Sequence, residues 1–167
     1  MAAMKKLISL LIVLVVSFIF VPEASAAKTE QWKLILNGGQ GNGNCTLNKG
    51  QNGTVTADGN WTYNYQEANV SGPYSNASVT IVGSSISITA SGTATNPSAP
   101  PGYQTSPFIL SISGRACNGH GSGTFTITFT TFGWPSSISG TLKGTRTSGS
   151  GITAVAMPWI PLLMLGD

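Results

Sequence analysis

Past its first 26 residues, the chain repeats its apolar side chains at mostly every second position, the period of a strand with one buried face. In the run from Ser85, Ile86, Ile88, Ala90 and Ala94 share one face, while Ser85, Ser87, Thr89, Ser91 and Thr93 share the other. Phe108, Leu110, Ile112 and Ala116 then point together, and Phe125, Ile127 and Phe129 oppose Thr124, Thr126, Thr128 and Thr130. Ile138 and Leu142 stand in the same way against Ser137, Ser139 and Thr141. One face is apolar and the other is hydroxyl.

This pattern predicts strands near 30–37, 53–57, 60–66, 77–82, 85–94, 107–116, 123–132 and 137–147. The links are short: Asp58-Gly59 and Gly83-Ser84 read as hairpin turns, and Gly133-Trp134-Pro135-Ser136 as a four-residue turn. Parallel strands would need long crossovers, usually helical, and no helical period occurs. The one long connection, around Pro97, Pro100 and Pro101, is proline-rich and reads as loop. The expected fold is therefore all-β, an antiparallel meander of about eight strands closed into a small up-and-down barrel, with a β-sandwich as the alternative.

Gly59-Asn60-Trp61 at a strand start, together with Arg146 in the last strand, resembles the Gly-x-Trp and closing-strand arginine of lipocalin- and avidin-type barrels. The resemblance covers four residues and implies a barrel. It also raises a calycin-like carrier, with a small apolar ligand held among Ile86, Ile112, Phe125 and Phe129. An outer-membrane barrel competes, because alternation alone does not say which face is inside, but it asks for aromatic girdles and uniformly longer strands.

Three segments follow from composition. Residues 1–26 read as a cleaved signal peptide: Lys5 and Lys6 precede an apolar run from Leu7 to Val21, and Ala24-Ser25-Ala26 is a small-x-small cleavage site. Residues 27–151 form a single β domain. Residues 152–167 are an apolar tail, in which Pro158 and Pro161 break helix, and which serves as a last strand or cap or as a surface-attachment segment. The expected location is exported: extracellular, periplasmic or on the cell surface. No transmembrane helix is expected in the mature chain.

Charge narrows the partners. Past the signal segment, Lys28, Lys33, Lys49, Arg115, Lys143 and Arg146 stand against Glu30, Asp58, Glu67 and Asp167. The charges are few and scattered along the sequence, so a nucleic-acid partner, which needs clustered cations, is not expected.

The candidate chemistry is sparse. Cys45 and Cys117 are the only two cysteines, 72 positions apart (45 to 117), and in an exported chain they are expected to form a disulfide. His120, the only histidine, sits in a glycine-rich turn that does not preorganise a general base. With Cys45 and Cys117 it falls short of a four-ligand zinc set. Asp58 and Glu67 lie at opposite ends of a predicted strand, too far apart for a glycosidase pair. A hydrolase is thus the weakest reading, and no catalytic residue, metal or cofactor is expected.

Two surfaces remain. Trp61, Tyr63 and Tyr65 alternate along one strand face; exposed they form a stacking platform, buried they are ordinary core, which is the commoner outcome. Thr124, Thr126, Thr128 and Thr130 form a flat uncharged row, either a recognition surface or simply the solvent face of a threonine-rich strand. The leading expectation is an exported, non-catalytic binding or structural protein. Its partner would be a glycan or other envelope component, another protein, or copies of itself, the last through unprotected strand edges.

Overall fold

The computed structural model describes residues 26–153. Apolar side chains on alternate positions give β1 (Lys28–Leu36), β2 (Gly41–Lys49), β3 (Val55–Tyr65), β4 (Ala68–Val82), β5 (Ser85–Thr95), β6 (Thr105–Cys117), β7 (His120–Phe129) and β8 (Ser137–Gly149). Each strand pairs antiparallel with the next, and β8 returns to β1, so the sheet is a closed barrel and not a sandwich. Closure gives every strand a neighbour on both sides, so no strand is an edge strand.

Six of the expected strands are found as β1 and β4 to β8, while those near 53–57 and 60–66 merge into β3 and β2 was not expected. Gly41-Asn42-Gly43-Asn44 looks like a turn but opens β2, with Gly41, Gly43, Cys45 and Leu47 facing inward. The inward glycines accommodate the bulk of β3: a Cβ on Gly41 would meet the Tyr63 ring at 2.7 Å, and one on Gly43 the Asn60 carbonyl at 2.6 Å. The supposed Asp58-Gly59 hairpin lies inside one continuous β3, where the register against β4 shifts between Ala57 and Gly59. Asp58 caps this bulge: its carboxylate accepts from the Asn76 backbone N–H at 2.8 Å and the Asn48 side chain at 2.7 Å.

The expected Gly83-Ser84 hairpin joins β4 to β5, and two further hairpins use left-handed residue pairs. Gln66 and Glu67 (φ 49° and 68°) join β3 to β4, and Asn118 and Gly119 (φ 51° and 80°) join β6 to β7. Two successive positive φ values define the turn whose twist matches paired strands.

The interior is packed. Phe108, Phe125, Ile127, Leu47 and Val70 are almost wholly enclosed, and Trp61 stands edge-on to Phe108, centroids 5.3 Å apart. With apolar residues inside and Ser, Thr, Asn and Lys outside, the arrangement is the reverse of an outer-membrane barrel, whose lipid-facing surface is apolar.

Polar groups close both ends. At one end Tyr63 donates to Gln40 (2.7 Å) and accepts from Asn37 (2.8 Å), whose own oxygen accepts from the Thr141 backbone N–H (2.9 Å). At the other, the wholly buried carboxylate of Glu30 accepts from the Trp32 indole (3.3 Å), Arg146 (3.3 Å), the Ile152 N–H (2.9 Å) and the Thr153 hydroxyl (2.7 Å). Ile152 and Thr153 are thereby buried against the barrel end. The expected signal segment up to Ser25 and the tail beyond Thr153 lie outside the described residues.

Candidate binding surface

The outer wall of β6, β7 and β8 holds a two-dimensional array of hydroxyls, because strand pairing aligns their outward positions. Ser111, Thr126 and Ser139 lie in one cross-strand row, and Ser113, Thr124 and Thr141 in the next. The rows continue onto β5 and β4, through Thr89 and Ser78 in one case and Ser87 and Thr80 in the other. All these side chains are exposed, with neighbours about 4.8 Å apart across strands and about 6.7 Å along them. Thr124 and Thr126 thus stand at the centre of a broad, uncharged, hydrogen-bonding sheet face, Thr128 lies at its margin beside exposed Ile109, and Thr130 follows just past the end of β7.

The aromatics weighed as a stacking platform take the buried alternative. Trp61 and Tyr63 are buried core residues, and Tyr65 is half-buried against the same core. The reason is the Asp58-Gly59 bulge: a two-residue turn would have placed these rings on the hydroxyl side, whereas the continuous β3 turns them inward. They therefore leave the candidate surface.

Other aromatics take their place at the rim of the hydroxyl face. The β5–β6 and β7–β8 connections meet there, fastened by the Trp134 indole N–H donating to the Tyr103 carbonyl at 2.8 Å. Trp134 also packs its ring on Phe129, centroids 5.1 Å apart. This anchored frame presents Tyr103 at 47% exposure and Phe132 at 88%. Single exposed apolar residues are ordinary, but a phenylalanine this bare beside a second ring on a braced loop is apolar surface with no role in the fold. The sequence signal was the aromatic pair within Phe132-Gly133-Trp134-Pro135, which reads only as a turn.

At the opposite end of the same wall, pairing brings together charges that are scattered in sequence. Arg115, Ser122 and Lys143 form one cross-strand row, and Cys117, His120 and Thr145 the next, with Lys33 beyond Thr145 on β1. Arg115, His120 and Lys143 border a shallow groove of about 470 Å³. The charges thus do cluster, contrary to the sequence reading.

The expected disulfide is absent. Cys45 points into the barrel from β2, while Cys117 is exposed at the end of β6, on the opposite side of the ring with three strands between them in either direction. Burial pushes the Cys45 thiol above its usual range; a hydrogen bond with Tyr74 opposes this and the nearby Asp58 charge adds to it. The carboxylates do not converge either. Glu30 is enclosed at one end, Asp58 is engaged at the bulge and Glu67 is in the β3–β4 turn. Among the described residues no group of three or more His, Cys, Asp or Glu could hold a metal, and no helix is long and apolar enough to cross a membrane.

Nor does the interior offer much space. Of the four residues expected to line an unfilled interior, Ile112, Phe125 and Phe129 are buried in the packed core and Ile86 packs against it. An apolar cavity of about 50 Å³ lies near Trp32, Leu47, Ile86 and Ala116, against roughly 300 Å³ or more for a typical ligand pocket.

The short resemblance to lipocalin- and avidin-type barrels also changes meaning, since Arg146 pairs across from Trp32 and not Trp61, and Trp61 lies in mid-strand. Comparison with protein-family models, curated proteins and solved structures finds no match for this chain.

Proposed function

We propose that this chain is an exported, non-catalytic binding protein that holds a polysaccharide on the outer wall of β6–β8. One observation carries the reading: Phe132 and Tyr103 are exposed on two braced loops that lead into the strands bearing the flat array of exposed hydroxyls. A sugar ring has an apolar C–H face and a hydroxyl edge, so it stacks on the first element and hydrogen-bonds to the second. Neither connecting segment of the rim carries a charge, which suits the C–H face of a sugar ring better than a lipid headgroup. Export is supported by the basic, apolar and small-x-small succession of residues 1–26. The tightly packed interior disfavours the carrier alternative.

The test is retention of the purified exported chain on insoluble cellulose, chitin and cell-wall sacculi, with gel retardation by soluble glucans. At least one polysaccharide should hold the protein, and Phe132→Ala combined with Tyr103→Ala should weaken binding about tenfold, the loss of one to two stacking contacts. Passage of the native protein through every matrix unretarded would overturn the proposal.

A further inference from the structure

We infer that the corner formed by Arg115, His120, Lys143 and Lys33 is an anion site, and that the polysaccharide it serves is acidic, bearing carboxylate or sulfate groups along its length. This rests on the polysaccharide reading and names the class of polymer. The geometry is set by pairing: Arg115 and Lys143 flank Ser122 in one cross-strand row, and His120 and Lys33 flank Thr145 in the next. Strand spacing puts each flanking pair about 10 Å apart and the rows about 7 Å apart, so one acidic group can meet two cations and a hydroxyl together.

Charge complementarity singles out this corner. Among the described residues the one ion pair is Arg146 with Glu30, at 3.3 Å inside the barrel end. Asp58 and Glu67 lie on β3 and in the β3–β4 turn, across the ring from β7, and among the described residues no carboxylate forms an ion pair with Arg115, Lys143 or Lys33. The groove also opens onto the hydroxyl array, since His120, Ser122, Thr124, Thr126 and Thr128 follow one another outward along β7. Cations at one end, hydroxyls between and aromatic rings at the other span about 30 Å, the length of several sugar units.

The experiment compares the native full chain with the double variant Arg115→Ser/Lys143→Ser, both positions being exposed. Affinity is measured for a polyuronate, a sulfated glucan, the parent neutral glucan and double-stranded DNA, and inorganic phosphate is titrated against amide and His120 ring NMR signals. The acidic glycans should bind more tightly than the neutral one, weaken with added salt, and lose about tenfold in the double variant. Arg115→Lys/Lys143→Arg should restore most of that loss, and phosphate should move the signals of His120 and its strand neighbours.

Equal binding of neutral and acidic glycans, unchanged in the double variant, would overturn the anion site while leaving the polysaccharide reading standing. Phosphate shifts at His120 with no glycan binding at all would overturn the polysaccharide reading and retain the anion site. DNA binding that exceeds every glycan would overturn the assignment of the polymer.

Discussion

Replacing Glu30 by glutamine keeps the shape of the side chain and removes its charge at a point where five donors converge: the Trp32 indole, the Arg146 guanidinium, the backbone N–H groups of Ile152 and Thr153, and the Thr153 hydroxyl. A glutamine offers one acceptor oxygen where the carboxylate has two, and turns an N–H₂ toward groups that are themselves donors. Breaking a buried ion pair in this way costs about 3 to 5 kcal/mol. The Arg146 side chain is 23% exposed and regains some water, so the lower end, about 3 kcal/mol, is expected. For a domain of this size that corresponds to a fall in Tm of roughly 10 °C.

The effect depends on pH with a definite sign. Burial works against the ionised form of Glu30, but hydrogen bonds from Thr153, Ile152 and Trp32 outweigh it, and the net effect is a pKa below the ordinary value of 4.5. A group lowered on folding stabilises the native state above its unfolded pKa and loses that contribution as pH falls through the folded one. Urea denaturation followed by tryptophan fluorescence should show the full difference between native and Glu30→Gln protein above about pH 5, shrinking on acidification below that. A difference under about 1 kcal/mol at neutral pH, or one that does not change with acid, would refute the assignment of Glu30 as the tie that closes this end.

Other positions give sharper yes-or-no outcomes. In native protein iodoacetamide should modify Cys117 alone, and Cys45 only after unfolding, because Cys45 is buried with a raised pKa; a mass two protons light with neither thiol reactive would mean that a disulfide forms after all. Gly123→Ala should destabilise the barrel by about 2 kcal/mol in calorimetry, since a Cβ there would lie 2.7 Å from the Gly114 Cα across the β6–β7 pair; unchanged Tm would show that the strands are not so closely approached. Phe132→Ala should leave stability within about 0.5 kcal/mol, given its 88% exposure, so any loss of binding it causes reflects the surface and not the fold.

The half of the chain from Ser85 onward was legible because its periodicity is strict and its apolar residues are large. In the first half β1 was legible but β2 was not, since β2 alternates glycine with asparagine and its small inward residues make room for Trp61 and Tyr63 on β3, a relationship visible only across strands. Asp58-Gly59 reads locally as a turn, yet the Asn48 and Asn76 groups that hold it in a bulge come from β2 and β4. Thr124, Thr126, Thr128 and Thr130 were legible as an exposed row, being set by the period of one strand. The basic corner and the aromatic rim were not, because each is assembled by pairing or by the meeting of two loops. The disulfide expectation failed for the same reason: parity of cysteines carries no information about which side of the wall each one faces.

The central claim, that ligand is held on the outer wall and not inside the barrel, is tested most directly by mapping amide chemical-shift changes on titration with an acidic oligosaccharide. The account predicts changes at Thr124, Thr126 and Thr128, at Phe132 and around His120, with Ile88, Leu47 and Val70 unmoved. Changes concentrated at those interior positions, with the outer wall silent, would contradict it.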